Sequence, residues 1–232
     1  MIPKVTHQVW FQGWDEIPEK YSKNVKSLRI LNQNWEHMTW DEHSLRDECE
    51  KFSSEALAKF ESYPRMMHKI DFGRSVVLYN HGGITIDVDA ECLRPLEKIP
   101  GILNENLIIS KWSRRSGFES WLCHRGVCKD QIMFNSATIA CEPGHPILKQ
   151  YIEFLIKNEN NFPDDPNWDV ETRTGPTIFS IFFNHFLDDI FILDPEIIEP
   201  WGEVTKRTVL NHEYACSWMH PAVRLSLIHI SE

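Results

Sequence analysis

No apolar run in this chain of 232 residues approaches the roughly 20 that a membrane-spanning helix needs. Basic residues are in deficit, 24 against 34 acidic, for a formal charge of −10. That argues against nucleic acid as the partner, because backbone binders carry a basic face. It does not exclude a phosphorylated small molecule, whose charge a divalent cation can neutralise. Cys49, Cys92, Cys123, Cys128, Cys141 and Cys216 form no C-x-x-C and fit no zinc spacing, so free thiols in a reducing compartment are expected. There is no internal repeat, low-complexity tract, P-loop, G-x-S-x-G or dinucleotide glycine fingerprint. The residues after Met1 lack the charged and apolar regions of a signal peptide, which leads us to expect a soluble, cytoplasmic chain.

Apolar residues make up 42% of the sequence, enough for one domain with a substantial core, and nine tryptophans are a high count. Lys4–Phe11 reads as a first strand, Pro18 to about Asn32 as a helix, and His37–Trp40 as a second strand. Asp41 should cap a helix bearing Leu45, Cys49 and Phe52, followed by a helix over 54–62. A further helix runs from Pro64 to about His81 and ends at Gly82-Gly83. Strands are expected at 84–87, 107–110 and 131–141, and helices at 145–157 and 176–187. Residues 158–173 read as a loop, with short strands near 190–193 and 213–218. The alternation predicts an α/β fold with a mostly parallel sheet, whose ligands sit beyond the C-terminal strand ends. Asp87 and Asp89 fall at such an end.

The central feature is Gly82-Gly83-Ile84-Thr85-Ile86-Asp87-Val88-Asp89. Side chains two apart in extended backbone share a side, so both carboxylates can converge on one hard divalent cation such as Mg²⁺ or Mn²⁺. Ile84 and Ile86 would anchor them. Asp71 and Arg74, three apart on the preceding helix, share a face. Arginine can grip phosphate or sugar oxygens in a fork, and aspartate can accept from sugar hydroxyls. A bare D-x-D is common, and an Asp–Arg pair alone is often just a surface ion pair.

Together these strings resemble glycosyltransferase family 32. The resemblance is carried by Ile2–Phe11, Asp71-x-x-Arg74, and Leu78-Tyr79-x-x-Gly82-Gly83-Ile84-x-x-Asp87-x-Asp89. It continues through Asn135–Leu148 with its Pro143-Gly144-His145-Pro146, Thr174-Gly175-Pro176, and His212–Trp218. The family includes yeast-type mannosyltransferases and bacterial capsule and lipopolysaccharide transferases. The catalytic domains of large clostridial glucosylating toxins are similar over the same motif.

The resemblance implies a single-domain GT-A-like fold over 1–225, with a Rossmann-like, mixed, mostly parallel sheet flanked by helices. The last residues, 226–232, look like read-through of a sequencing adapter and are expected to be a non-native tail. It further implies a retaining hexosyl transfer, without a covalent intermediate, from a UDP- or GDP-sugar to a hydroxyl on a glycan or glycolipid. Peripheral contact with a membrane-linked acceptor is expected from the resemblance, and no nucleic-acid partner is expected from the charge. Trp10 would stack on the base. Asp71 and Arg74 would bind donor sugar and phosphates. Asp87 would contact ribose or sugar, or reach the metal through water. Asp89 would be the direct ligand of Mn²⁺ or Mg²⁺. His212 or Glu213 would complete the shell; the family has two histidines there, and glutamate suits a hard ion better, which favours Glu213. Ser217 and Trp218 would hold the leaving diphosphate. Asp130-Gln131, Trp112, Trp121 and Trp168 are candidates for the rest of the cleft, while His7, His68 and His145 read as structural. The competing readings are a binding protein that kept the fold without turnover, and a metal-dependent phosphoesterase, for which the ligand set is too sparse.

Overall fold

The computed structural model describes residues 1–112, 131–158, 169–200 and 203–213. Its first strand, β1 (Val5–Val9), pairs in parallel with β2 (Glu36–Trp40) and with β3 (Gly83–Thr85). β5 (Leu107–Lys111) and β6 (Phe134–Cys141) are antiparallel, β6 also runs antiparallel to β3, and β5 pairs in parallel with β7 (Phe191–Leu193). Among the described residues the result is a six-stranded sheet in the order β2-β1-β3-β6-β5-β7, in which β6 alone is reversed. The α/β class and the mostly parallel sheet read from the sequence are what the chain adopts.

Strand alternation builds the layers. In β5, Leu107 and Ile109 enter one core cluster and Ile108 the other; in β6, Ile139 and Cys141 oppose Ala140 in the same way. One sheet face is covered by α2 (Glu42–Phe52), α3 (Ser54–Ser62), α4 (Met66–His81), α5 (Pro146–Lys157) and α7 (Pro176–Phe183). The other carries α1 (Glu19–Leu31), α8 (Pro195–Ile198) and a ribbon of β4 (Ala90–Cys92) with β8 (Leu210–His212). Local chemistry explains several boundaries. Asp41 and Ser44 form a capping box on α2, and Ser53 caps α3. His145 caps α5 by accepting from the Ile147 amide, with Pro146 at the first helical position.

The chain departs from the sequence expectation in four places. The expected loop 158–173 contains α6 (Asp169–Arg173), and the expected helix over 176–187 ends at Phe183 before a 3₁₀ turn, Asn184–Phe186. A late strand lies at 210–212, paired with β4, a three-residue strand too short to show periodicity, and residues 214–218 of the strand expected near 213–218 lie outside the described residues. The strand before the acidic motif stops at Thr85, and Ala90 donates to the Asp87 carbonyl (3.1 Å) to make a turn of Asp87–Ala90. The two aspartates are therefore brought together by a turn, not by extended backbone. Residues 226–232 lie outside the described residues.

The α4–β3 corner sets where that turn emerges. Gly82 and Gly83 both have positive φ (65° and 100°), and a Cβ on Gly83 would lie 2.4 Å from the Val5 carbonyl oxygen. His7 bolts the corner to the sheet: its Nε2 donates to the Gly82 carbonyl (2.6 Å) and its Nδ1 accepts from the Trp40 indole (3.1 Å). Those partners allow only the neutral ring. Burial pulls the His7 pKa down to about 4, the Gly82 bond opposing it.

Two outcomes follow. Gly83→Ala combines a forbidden φ with a backbone clash and should cost at least about 2 kcal/mol, read by urea unfolding. For His7, the unfolded ring takes up its proton near pH 6.5 and the folded one only near 4. Stability from this residue is therefore present above pH 6.5 and is lost as pH falls towards 4. A His7→Gln variant should show a flatter stability profile between those pH values.

Candidate active site

β3 delivers Asp87 to the edge of the sheet, and the turn after it feeds β4. The β4–β8 register places Ala90 opposite His212, and the Glu213 amide donates to the Asp89 carbonyl at 3.0 Å. This pairing carries a residue more than a hundred positions downstream onto the acidic turn. His212 Nε2 lies 3.1 Å from Asp89 Oδ1 and 4.0 Å from Asp87 Oδ2. Donor atoms of Asp87, Asp89 and His212 all fall within 4.8 Å of one another. Glu213, the next residue, turns elsewhere: its Oε1 lies 3.5 Å from Lys23 Nζ and 3.5 Å from Asn24 Nδ2. Hence the preference for Glu213 as third ligand does not match the geometry, which brings His212 to the pair. Neighbouring side chains on a strand face opposite ways, and the ribbon's register selects the histidine.

Behind the turn stands α4. Arg74 Nη1 reaches Asp87 Oδ1 (3.1 Å) and the Ser136 carbonyl (3.0 Å), while Nη2 reaches Asp71 Oδ1 (3.0 Å). The other Asp71 oxygen accepts from Thr174 Oγ1 at 3.0 Å. Asp71 and Arg74 do share a helix face as the spacing implies, but both are buried, and their nearest task is to hold Asp87 from behind. Asp87 is the most open of the set, with a third of its side chain exposed.

Electrostatics follow from this crowding. Burial pushes Asp71 up to about 6, against the pull of Arg74. Asp87 is also raised, by burial first, with Arg74 opposing and Asp89 adding to the rise. For His212, burial lowers the pKa, but Asp89 and Glu199 outweigh it and hold the imidazole well above its ordinary value. Two carboxylates and one imidazole, converging at a partly open edge and rich in negative charge, are a donor set suited to a divalent cation.

The remaining candidates divide. Trp10 follows β1, its ring 5.9 Å edge-on from Tyr21, in a small cluster with Val25 and Val88. It thus adjoins the acidic turn through Val88. Trp112 and Gln131 are half-buried at the open ends of β5 and β6. Asp130, Trp121, Trp168, Ser217 and Trp218 lie outside the described residues. His7 and His145 do structural work, as read from the sequence, and His68 is buried 3.4 Å from Asp169. Sequence reasoning gave no role to Thr174 or Glu199. Thr174 was visible only as the residue before Gly175-Pro176; Glu199 was signalled by nothing but an acid after two isoleucines.

Residues 18–108, from the start of α1 through the acidic turn to β5, match the glycosyltransferase sugar-binding region containing the DXD motif. Over that stretch the chain is similar to the DXD-motif glycosyltransferases. The chain is 23% identical to an uncharacterized glycosyltransferase of Acanthamoeba polyphaga mimivirus, over 94% of this chain and 79% of the viral one. It is 29% identical to inositol phosphoceramide mannosyltransferase 3 of Schizosaccharomyces pombe, over 85% of this chain but only 51% of the yeast protein. The chain thus spans about half the length of that yeast relative. Among solved structures, mouse xyloside xylosyltransferase 1 superposes over 93% of this chain and 99% of its own, with a TM-score of 0.55 at 13% identity. That likeness is one of fold, of the GT-A type.

The buried ion network gives a direct expectation. Arg74→Met strands Asp71 and Asp87 and should destabilise the fold by about 3–5 kcal/mol at neutral pH. The loss should shrink as pH falls towards 4, where both carboxyls take up protons and no longer need the cation. Thr174→Val removes one donor to Asp71 and should cost about 1–3 kcal/mol. Thermal melts across pH 4–8 test both.

Proposed function

We propose that the protein is a glycosyltransferase that moves a hexosyl group, a mannosyl group first among candidates, from a UDP- or GDP-sugar to a hydroxyl on a glycan or glycolipid. A Mn²⁺ or Mg²⁺ ion is held by Asp87, Asp89 and His212. The observation that carries the reading is the convergence of those three side chains within 4.8 Å at the open end of β3. The imidazole in the set favours Mn²⁺, since Mg²⁺ prefers oxygen donors. The mannosyl preference and the glycolipid acceptor, with its peripheral membrane contact, are supported by the name of the fission-yeast relative.

The bound ion supplies electrostatic stabilisation of the departing diphosphate. The chain's own residues prepare for that. Arg74 keeps Asp87 ionised and aimed outward, and places positive charge behind the phosphate position. Asp71, fixed by Arg74 and Thr174, sets the angle of the guanidinium. Trp10, beside Val88, offers an aromatic face for the base. Asp71, Asp87 and Asp89 are each already engaged by a cation or a hydroxyl, which leaves none poised as a covalent nucleophile. This fits transfer without a glycosyl-enzyme intermediate, the leaving phosphate accepting the acceptor's proton, while retention rests on the resemblance alone.

The test is donor hydrolysis. Purified protein with Mn²⁺ and a panel of UDP- and GDP-sugars should release free nucleotide with one donor, GDP-mannose first. Asp89→Asn or EDTA should lower the rate at least about 100-fold, the scale of losing one strong transition-state contact. No release from any donor, with no metal-dependent nucleotide binding by calorimetry, sinks the transferase reading.

A further inference from the structure

Glu199 is an acid placed where no water reaches it. Its side chain is fully buried at the end of α8, and its Oε1 faces His212 Nδ1 at 3.8 Å. A carboxylate in such a place is costly unless a hydrogen-bond donor or a cation meets it. The fold goes to some length to set it there. Asp194 caps the short helix α8, and the Glu199 amide donates to the Pro195 carbonyl (2.7 Å). The Val209 amide then ties the strand leading into β8 to the Ile197 carbonyl, also at 2.7 Å. Ile197, Ile198, Val209 and Leu210 are all buried in one core, so acid and imidazole are mounted on the same rigid block.

The two ring nitrogens of His212 point at different things. Nε2 faces Asp89 and the acidic turn, and Nδ1 faces Glu199. Nε2 can offer its lone pair to a cation only if the ring proton sits on Nδ1. With Nε2 given to a cation instead of to Asp89, a carboxylate beside Nδ1 holds the ring proton there, fixes the ring plane and makes Nε2 a better donor. At 3.8 Å the carboxylate and the ring nitrogen are at ion-pair distance.

We infer that Glu199 is a positioning residue that sets the tautomer and orientation of His212 for cation binding. This rests on the reading of Asp87, Asp89 and His212 as the cation site. The experiment is a titration of the full chain with Mn²⁺ alone, free ion being followed by electron paramagnetic resonance. The panel is wild type, Asp89→Asn, Glu199→Gln, His212→Gln and the Glu199→Gln/His212→Gln double variant. Glu199→Gln should weaken Mn²⁺ binding about 10- to 100-fold. In the His212→Gln background it should add no further loss, because it acts only through the ring. A folded Glu199→Gln protein with unchanged affinity, or a full extra loss in the double variant, overturns the inference. Wild-type binding that Asp89→Asn does not weaken overturns the site itself, which keeps the two failures apart. Should Glu199→Gln not fold, a protein with Glu199 intact still answers. Long-range ¹⁵N correlation spectra of the metal-free Asp89→Asn variant, whose Nε2 no longer faces the Asp89 carboxylate, should show His212 protonated on Nδ1 at a pH where the ring is neutral. Protonation on Nε2 overturns the inference.

Discussion

Three carboxylates, Asp71, Asp87 and Asp89, are drawn out of bulk water within reach of one another, and the organisation of this end of the molecule answers the repulsion that results. Arg74 is the main answer. Its guanidinium forks between Asp71 and Asp87 and spends a further donor on the Ser136 carbonyl of β6. A lysine could not span those three acceptors, because its ammonium is a single compact centre. A buried network of this kind is a weak source of stability, since desolvation offsets most of the attraction. Its value is positional: it makes Asp87 project in one direction from a helix and a strand that are each packed on the core.

The second constraint is topological. A parallel sheet places strand ends, and the turns that follow them, along one edge. Here the edge is completed by the two-stranded ribbon of β4 and β8, which lies outside the main sheet. The ribbon's antiparallel register is what makes His212 a neighbour of the acidic turn, and α8 behind it brings Glu199. Each of these elements has three or four residues and no stability of its own. They are held because Cys92, Ile197, Ile198, Val209 and Leu210 are buried against Ile84, Ile86 and Ile108.

Rigidity at the opposite end of β3 serves the same purpose. The neutral His7 ring bridges Gly82 and the Trp40 indole, and the positive φ of Gly82 and Gly83 lets α4 turn sharply into the sheet. The start of β3 is thereby fixed from one side and its exit from the other by Arg74. A motif of two aspartates becomes a defined site because little around it can shift.

The sequence by itself determined the α/β class, the long helices and strands, and the acidic motif with its Asp71–Arg74 partner. Those features are written in local signals: helical stripes, caps at Asp41 and Ser53, glycines after His81, and a spacing of three along α4. It also carried enough motif, spread from residue 2 to residue 218, to show a resemblance to sugar-nucleotide transferases. Only the tertiary structure decided that His212 and not Glu213 faces the aspartates, that a turn rather than a strand brings them together, and that Thr174 and Glu199 belong to the site. The reason is physical. Which of His212 and Glu213 points inward depends on the pairing of β8 with β4, where Ala90 lies opposite His212 across 122 positions of sequence, and that register is a long-range contact with no local periodicity to announce it.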